Sequence, residues 1–293
     1  MSIQQIIVCG AGTMGSGIAQ VCAQAGHETF LFDQSSEALR AAEARMHTVW
    51  RGLVDKGRMS DADFAAAVGR LHVLADPSSV RADLVIEAIV EKLDAKIELF
   101  KAFALPEAIF ASNTSSLSIN AIQEALPYPE RVAGMHFFNP APLMKLVEIV
   151  RGAKTAAPVT ATLEALVRSW GKVPVHCADA PGFIVNRVAR PYYLEALHMV
   201  NTGAAGFEDI DRLTEATGFR MGPFRLMDLI GNDINLAVSR SLYEAFPQAL
   251  RFKPSPIQEE MVARGELGRK SGKGYYSYTG APDGASPTKS PGT

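Results

Sequence analysis

Gly10-Ala11-Gly12-Thr13-Met14-Gly15 constrains this chain more than any other stretch. It follows a short β-branched run, Ile6 to Cys9, and opens a segment, Met14 to Ala25, of helical composition that stops at Gly26. Three glycines so spaced between a strand and a helix each have a task. Gly10 permits a tight turn, Gly12 lets backbone approach a pyrophosphate, and Gly15 lets helix and strand pack closely. The helix N-terminus, with Thr13 and Met14 in its first turn, offers N–H groups to phosphate charge. Thr29 to Phe32 repeats the strand signal and ends at Asp33, about twenty residues after Gly10, where a carboxylate can accept hydrogen bonds from ribose hydroxyls. Asp33 repels a 2′-phosphate, and Gln34, Ser35 and Ser36 offer no cation to hold one, so NAD is expected rather than NADP. The bland alternative gives the glycines only a turn and Asp33 only a helix cap. FAD shares the fingerprint, but nothing further along suggests a flavin platform.

The strand and helix signals keep alternating. Ser35 to Val54 is helical, as are Ala62 to Val68 and Leu93 to Phe103; Leu71 to Leu74, Leu84 to Ile86 and Ile109 to Ala111 read as short strands. Val132 to Phe138 and Met144 to Val150 read as two strands around the Pro-rich Asn139 to Pro142, and Val173 to His176 as one more. Beyond Pro181 the segments Phe183 to Val200, Ile210 to Thr217 and Asp233 to Ala245 are helical. The expected fold is therefore α/β, a Rossmann-type doubly wound and mostly parallel sheet, followed by an all-α C-terminal domain. The expected divisions are a dinucleotide-binding domain over 1–180, a helical domain for substrate and dimerisation over 181–279, and a disordered tail over 280–293, rich in Gly, Pro, Ser and Thr.

Composition narrows the partners. The formal net charge of -2 gives no general pull toward nucleic acid or an anionic membrane, and no segment approaches the roughly 20 apolar residues of a membrane span. Cys9, Cys22 and Cys177 are scattered, form no CxxC pair, and fit buried thiols in a reducing cytoplasm. The apolar run begins almost at the N-terminus, leaving no room for a charged leader, so a cytoplasmic location is expected.

A second cluster carries chemistry. His136 and Asn139 sit among apolar residues in Met135-His136-Phe137-Phe138-Asn139-Pro140, and Glu148 lies on the next strand. If those strands pair about the intervening connection, position 136 faces roughly 147, and the Glu148 carboxylate reaches the imidazole. It would fix the tautomer and favour the imidazolium, as general base work requires. A satisfied core histidine and a surface glutamate remain the alternative.

The segments GAGTMGSGIAQ, VIEAIVEKLDAK, ASNTSSLSI, HFFNPAPLMKLVEIV and DAPGFIVNRV, in that order, closely resemble the L-3-hydroxyacyl-CoA dehydrogenase family, over about Ile6 to Tyr278. The resemblance implies that His136 is the general base and Glu148 its partner, and that Ser115 and Asn186 hold the substrate's reacting oxygen. It implies that Glu91, Lys96, Ser115 and Asn139 line the NAD site, with an acyl-CoA as substrate and a homodimer as the assembly. Lys56, at the end of the long helix, matches a position near CoA phosphate, although a solvated surface lysine is the simpler reading; Val49 stands where a hydrogen-bonding CoA contact is expected. Other readings stay open residue by residue. Ser115 can cap a helix starting near Leu117, Asn186 can cap or pack, and Glu91 can oppose the dipole of the Leu93 helix. Asn232 and Asp233 either bring polarity to the acyl site, suiting a short or dicarboxylic acyl group, or cap the next helix. Two other functions compete: a related NAD-dependent dehydrogenase of a non-CoA hydroxy acid, and a NAD-binding protein without catalysis.

Overall fold

The computed structural model describes residues 2–76, 79–103 and 105–278; the tail expected over 280–293 lies outside them. The chain divides into two compact units, one up to Phe183 and one from Ile184 onward.

The first unit is built on one eight-stranded sheet. Its strands are β1 (Gln5–Cys9), β2 (Glu28–Phe32), β3 (Leu71–Leu74), β4 (Leu84–Glu87), β5 (Ile109–Ser112), β6 (Val132–Phe137), β7 (Leu146–Arg151) and β8 (Val173–Ala178), in the order β3-β2-β1-β4-β5-β6-β7-β8. All neighbours pair in parallel except β6 with β7. Between them run α1 (Thr13–Gln24), α2 (Ser36–Asp55), α3 (Asp61–Gly69), α4 (Leu93–Lys101), α5 (Ile119–Glu124) and α6 (Ala157–Ser169).

Strand β1 shows why both faces are covered. Ile6 and Val8 point into a core with Ile18 and Cys22 of α1 and Leu39 and Trp50 of α2, whereas Ile7 and Cys9 point into another with Phe100, Phe103 and Phe110. Side chains alternate across a strand, so a strand buried on both faces reads as the continuous apolar run seen here. The chain winds from β1 to β3 in one direction and continues from β4 in the other, so the order reverses between β1 and β4. Ligands of doubly wound sheets bind in the crevice that such a reversal opens at the carboxyl ends of the strands. Gly10 follows β1 there, and Glu87 ends β4.

Two expectations change. The second strand of the hairpin begins at Leu146, not Met144, because Leu143 and Met144 both donate backbone N–H groups to the Pro140 carbonyl and close a turn. With the longer connection, His136 pairs directly with Glu148 rather than with 147. Helix α5 starts at Ile119 with the Ser118 hydroxyl capping it, so Ser115 caps no helix. The sequence reading missed α6, which carries the crossover between β7 and β8.

The second unit is helical: α7 (Val185–Asn201), α8 (Phe207–Ala216), α9 (Pro223–Ile230), α10 (Asn232–Ala245) and α11 (Pro256–Ala263). Tyr193, Leu197, Phe224, Met227 and Tyr275 form its core. Two buried carboxylates tie it together. Asp211 accepts from the backbone of Phe224 and Arg225 and from the Tyr276 hydroxyl; Asp228 accepts from the backbone of Tyr275 and Tyr276, the Tyr278 hydroxyl and Asn232. Asn232 and Asp233 do not cap α10 with their side chains; its N-cap is Gly231. Asn232 is buried against Asp228, and Asp233 pairs with Lys270.

Candidate active site

The glycine loop separates what the fold needs from what a ligand needs. Gly10 has φ +106, in the left-handed region that favours glycine, and a Cβ there would press on the Ala88 carbonyl. A Cβ on Gly15 would land on the Gly10 carbonyl oxygen. Gly12 meets nothing within 4 Å, so the fold alone tolerates a side chain at that position. It is the N-cap of α1, and no side chain caps that helix. The first-turn N–H groups of Thr13, Met14 and Gly15 therefore have neither an intrahelical acceptor nor a side-chain cap, the arrangement a diphosphate fits.

Asp33 directly follows β2, and its carboxylate holds the glycine loop. Its Oδ2 accepts from the Ala11 N–H at 2.8 Å and its Oδ1 from the Ser35 N–H at 2.9 Å. Ser35, not Asp33, caps α2 with its side chain. On the other side of the loop Arg45 of α2 donates to the Ala11 carbonyl at 3.1 Å. Sequence reading passed over Arg45, since a basic residue in a polar helix reads as surface. Lys56 is exposed at the C-terminus of α2, and no contact in the structure assigns it a ligand.

Beyond β4 a network of charged groups shapes the next wall. Glu87 is fully buried, and its carboxylate accepts from Lys96 at 2.5 Å, from the Ser112 hydroxyl at 2.7 Å and from the Ile89 N–H at 2.7 Å. Lys96 is itself 1% exposed and bridges to Glu91 at 3.1 Å, so its ammonium acts on the site through Glu91. Glu91 lies just before the N-cap Lys92 of α4. It accepts from the Thr114 hydroxyl at 2.6 Å and from the N–H groups of Ser115 and Ser116 at 2.9 and 3.1 Å. Burial raises its carboxyl pKa, but the Lys96 charge and these hydrogen bonds outweigh it and hold the pKa below the ordinary value. Glu91 thus fixes the Asn113–Ser116 loop. The hydroxyl of Ser115 stays partly exposed, 3.3 Å from the same Glu91 oxygen.

His136 and Glu148 face each other across β6 and β7. Nδ1 of His136 is 2.6 Å from Oε2 of Glu148, and both side chains are buried. A carboxylate only accepts, so Nδ1 carries the proton and Nε2 presents its lone pair. The Phe138 and Phe183 rings lie 4.6 and 5.7 Å from the imidazole and exclude water from it. Asn113 accepts the Phe137 N–H at 2.8 Å, tying this strand to the loop that Glu91 holds. Asn139 is exposed at the start of the 138–145 connection. That connection is anchored by Lys172, buried at the start of β8, whose ammonium reaches the Ala141 and Met144 carbonyls at 2.6 and 2.8 Å. Lys172 is a positioning residue that pattern reading missed, because a lysine before a strand carries no sequence signal of burial.

Asn186 belongs to the second unit, in the first turn of α7, and is partly exposed. The three cysteine thiols are held protonated. Burial first, then the Glu87 and Asp33 charges, raise the Cys9 pKa; burial raises that of Cys22, and burial with Glu148 and Asp179 pushes Cys177 up to about 12. Among the described residues no helix is long and apolar enough to cross a membrane, and no cluster of side chains is able to hold a metal.

Comparison with known proteins agrees with this geometry. Residues 5–180 match the model of the 3-hydroxyacyl-CoA dehydrogenase NAD-binding domain, and residues 182–278 match that of the 3-hydroxyacyl-CoA dehydrogenase C-terminal domain. The chain is 48% identical to the 3-hydroxyadipyl-CoA dehydrogenase of Escherichia coli over 95% of its own length, and spans only 60% of that longer protein. It is 40% identical to the mitochondrial hydroxyacyl-coenzyme A dehydrogenase of Sus scrofa, covering 94% of this chain and 91% of that one. The crystal structure of (S)-3-hydroxybutyryl-CoA dehydrogenase from Ralstonia eutropha superposes with a TM-score of 0.90 at 38% identity, over 95% of this chain and 100% of the other. A glycine loop open to a diphosphate, a buried His–Glu pair and matches over both domains lead to one conclusion: the chain belongs to the 3-hydroxyacyl-CoA dehydrogenase family and takes NAD as its cofactor.

Proposed function

We propose that the protein interconverts L-3-hydroxyacyl-CoA and 3-oxoacyl-CoA thioesters with His136 as general base. The carrying observation is the 2.6 Å contact between His136 Nδ1 and Glu148 in a buried, aromatic-walled setting. When bound, NAD supplies the acceptor for the hydride that leaves C3. The chain's residues manage the proton and the oxygen. Nε2 of His136 takes the hydroxyl proton as the C3–H bond breaks, and Glu148 stabilises the resulting imidazolium. The Ser115 hydroxyl and the Asn186 amide donate to the substrate oxygen as charge develops on it. Gly12, Thr13, Met14 and Gly15 receive the pyrophosphate; Asp33 receives the adenosine ribose; Glu91 and Asn139 line the nicotinamide side, with Lys96 behind Glu91. The acyl group is short or dicarboxylic, in keeping with relatives named for 3-hydroxybutyryl-CoA and 3-hydroxyadipyl-CoA.

The assembly is a homodimer and the location cytoplasmic. Exposed apolar residues of the helical unit, among them Val188, Leu213, Ile234 and Leu250, support the first; three free cysteines support the second. A monomeric mass in light scattering refutes the dimer.

The test of the function is NADH oxidation with acetoacetyl-CoA, repeated with NADPH and with free acetoacetate. Turnover with NADH and the thioester alone supports the reading. Equal turnover of the free acid transfers the protein to the dehydrogenases of non-CoA hydroxy acids.

A further inference from the structure

Helix α7 carries a charge that its own surroundings leave unmatched. Arg190 is 3% exposed and forms no salt bridge among the described residues. It donates through Nε to the Asn186 carbonyl at 3.2 Å, and through Nη1 to the Asn235 carbonyl at 2.9 Å, the Asn235 Oδ1 at 3.1 Å and the Ser239 hydroxyl at 3.2 Å. Its guanidinium also lies over the Tyr193 ring, 4.8 Å from the centroid. Burial pushes its pKa down to about 10, so the group is still cationic at neutral pH. A buried charge without a counter-ion is costly, and such groups are ordinarily paired.

The neighbouring atoms are short of the same thing. Among the described residues Nδ2 of Asn235, a residue 1% exposed, is buried without a hydrogen-bond acceptor, and the hydrogen bonds of Arg190 run through Nε and Nη1 alone. The Asn235 amide cannot be turned to cure this, because its Oδ1 already accepts from both Arg190 and Gln258. The Asn235 amide lacks an acceptor and the guanidinium beside it lacks a counter-charge: a carboxylate supplies both in a single group.

We propose that Arg190, with Asn235, is the specificity determinant that receives a terminal carboxylate on the acyl chain, making the preferred substrate the thioester of a dicarboxylic 3-hydroxy acid. This rests on the reading above that Asn186 meets the reacting C3 oxygen. Arg190 is four residues further along α7 on the same face, about 6 Å along the axis. In a six-carbon dicarboxylic acyl group, three bonds of about 1.5 Å set the terminal carboxylate about 4 Å beyond C3, and the side chains span the remainder. A four-carbon monocarboxylic acyl group reaches no such partner.

The experiment compares kcat/KM for NADH-dependent reduction of 3-oxoadipyl-CoA and 3-oxohexanoyl-CoA, which differ only in carboxylate against methyl. Charge-assisted hydrogen bonds predict a preference of about 10- to 100-fold for the dicarboxylic thioester in the unaltered protein. Arg190→Lys should keep part of that preference. Asn235→Asp places a carboxylate beside the guanidinium, and should abolish the preference while the helical unit stays folded by circular dichroism. A ratio at or below one in the unaltered protein overturns the proposal while leaving the dehydrogenase reading intact, as does an unchanged ratio in Asn235→Asp. Failure of both thioesters to turn over, with NADH still bound, overturns the dehydrogenase reading and this proposal with it.

Discussion

Replacing Glu148 with glutamine tests the catalytic pair while nearly conserving its volume. The carboxylate sits 2.6 Å from Nδ1 of His136, and both groups are almost free of solvent, so screening by water does not dilute the interaction. A hydrogen bond to a charged group contributes about 1.5–3 kcal/mol. The imidazole becomes cationic only as it takes the proton, so that stabilisation favours the proton-transfer step over the ground state. At about 1.4 kcal/mol per factor of ten, kcat should fall by about 10- to 150-fold. The loss grows further if the glutamine presents its amide nitrogen to Nδ1, because the imidazole then adopts the tautomer that cannot accept at Nε2. Neither residue touches the glycine loop or Asp33, so NADH affinity, read by fluorescence titration, should stay as it is. The assay is steady-state NAD reduction with a saturating L-3-hydroxyacyl-CoA, the direction in which His136 takes the proton. A Glu148→Gln enzyme that turns over within about twofold of the parent refutes the reasoning.

Three further perturbations separate binding, stability and positioning. Gly12→Ala should cost no more than a favourable N-cap, about 0.5–1 kcal/mol, since no atom meets its Cβ, yet raise the Kd for NADH by about 5- to 150-fold through overlap with the diphosphate; Gly15→Ala should destabilise the apo fold more, by about 1–3 kcal/mol, and the reverse order in calorimetry defeats the assignment. Glu91 has a lowered folded pKa, so its ionised form contributes stability above the ordinary carboxylate range, and that contribution is lost as pH falls through the lowered value. Urea titrations should show this acid loss shrinking in Glu91→Gln by a fraction of a kcal/mol, about 0.5 given its partial exposure, and an unaltered pH profile counts against the loop-fixing role. Lys172→Met should release the Ala141 and Met144 carbonyls and lower kcat by about tenfold while NADH still binds, as expected when a supporting contact is lost; an undiminished kcat means the loop holds itself.

The sheet was legible because its strands are short, β-branched and bounded by turns. Leu71 to Leu74 forms the strand expected at those same residues, and the mostly parallel sheet is the one that the alternation of strand and helix signals implies. Helix α6 escaped because its apolar residues follow a Pro-containing start that reads as loop. The pairing of His136 with Glu148 was legible to within one residue; the error came from the turn at Pro140, whose backbone hydrogen bonds no composition reveals. Lys96 shows another limit. The family resemblance implies a residue lining the cofactor site, and Glu87, buried at the end of β4, draws its ammonium inward. Burial of a charge depends on a partner nine residues away, and local pattern carries no record of that partner. Arg45, Lys172 and Arg190 stayed hidden for the same reason: each is a long basic side chain whose role is set by carbonyls and amides contributed from other elements.

The central claim is that His136 is the base of an NAD-dependent 3-hydroxyacyl-CoA dehydrogenase, and the most direct test is His136→Gln assayed beside the unaltered protein for acetoacetyl-CoA reduction, with NADH binding measured on the same samples. Brisk turnover by the unaltered protein, with a loss of about 100-fold or more in the variant and NADH affinity retained, is the predicted result. Turnover by His136→Gln close to that of the unaltered protein contradicts the account.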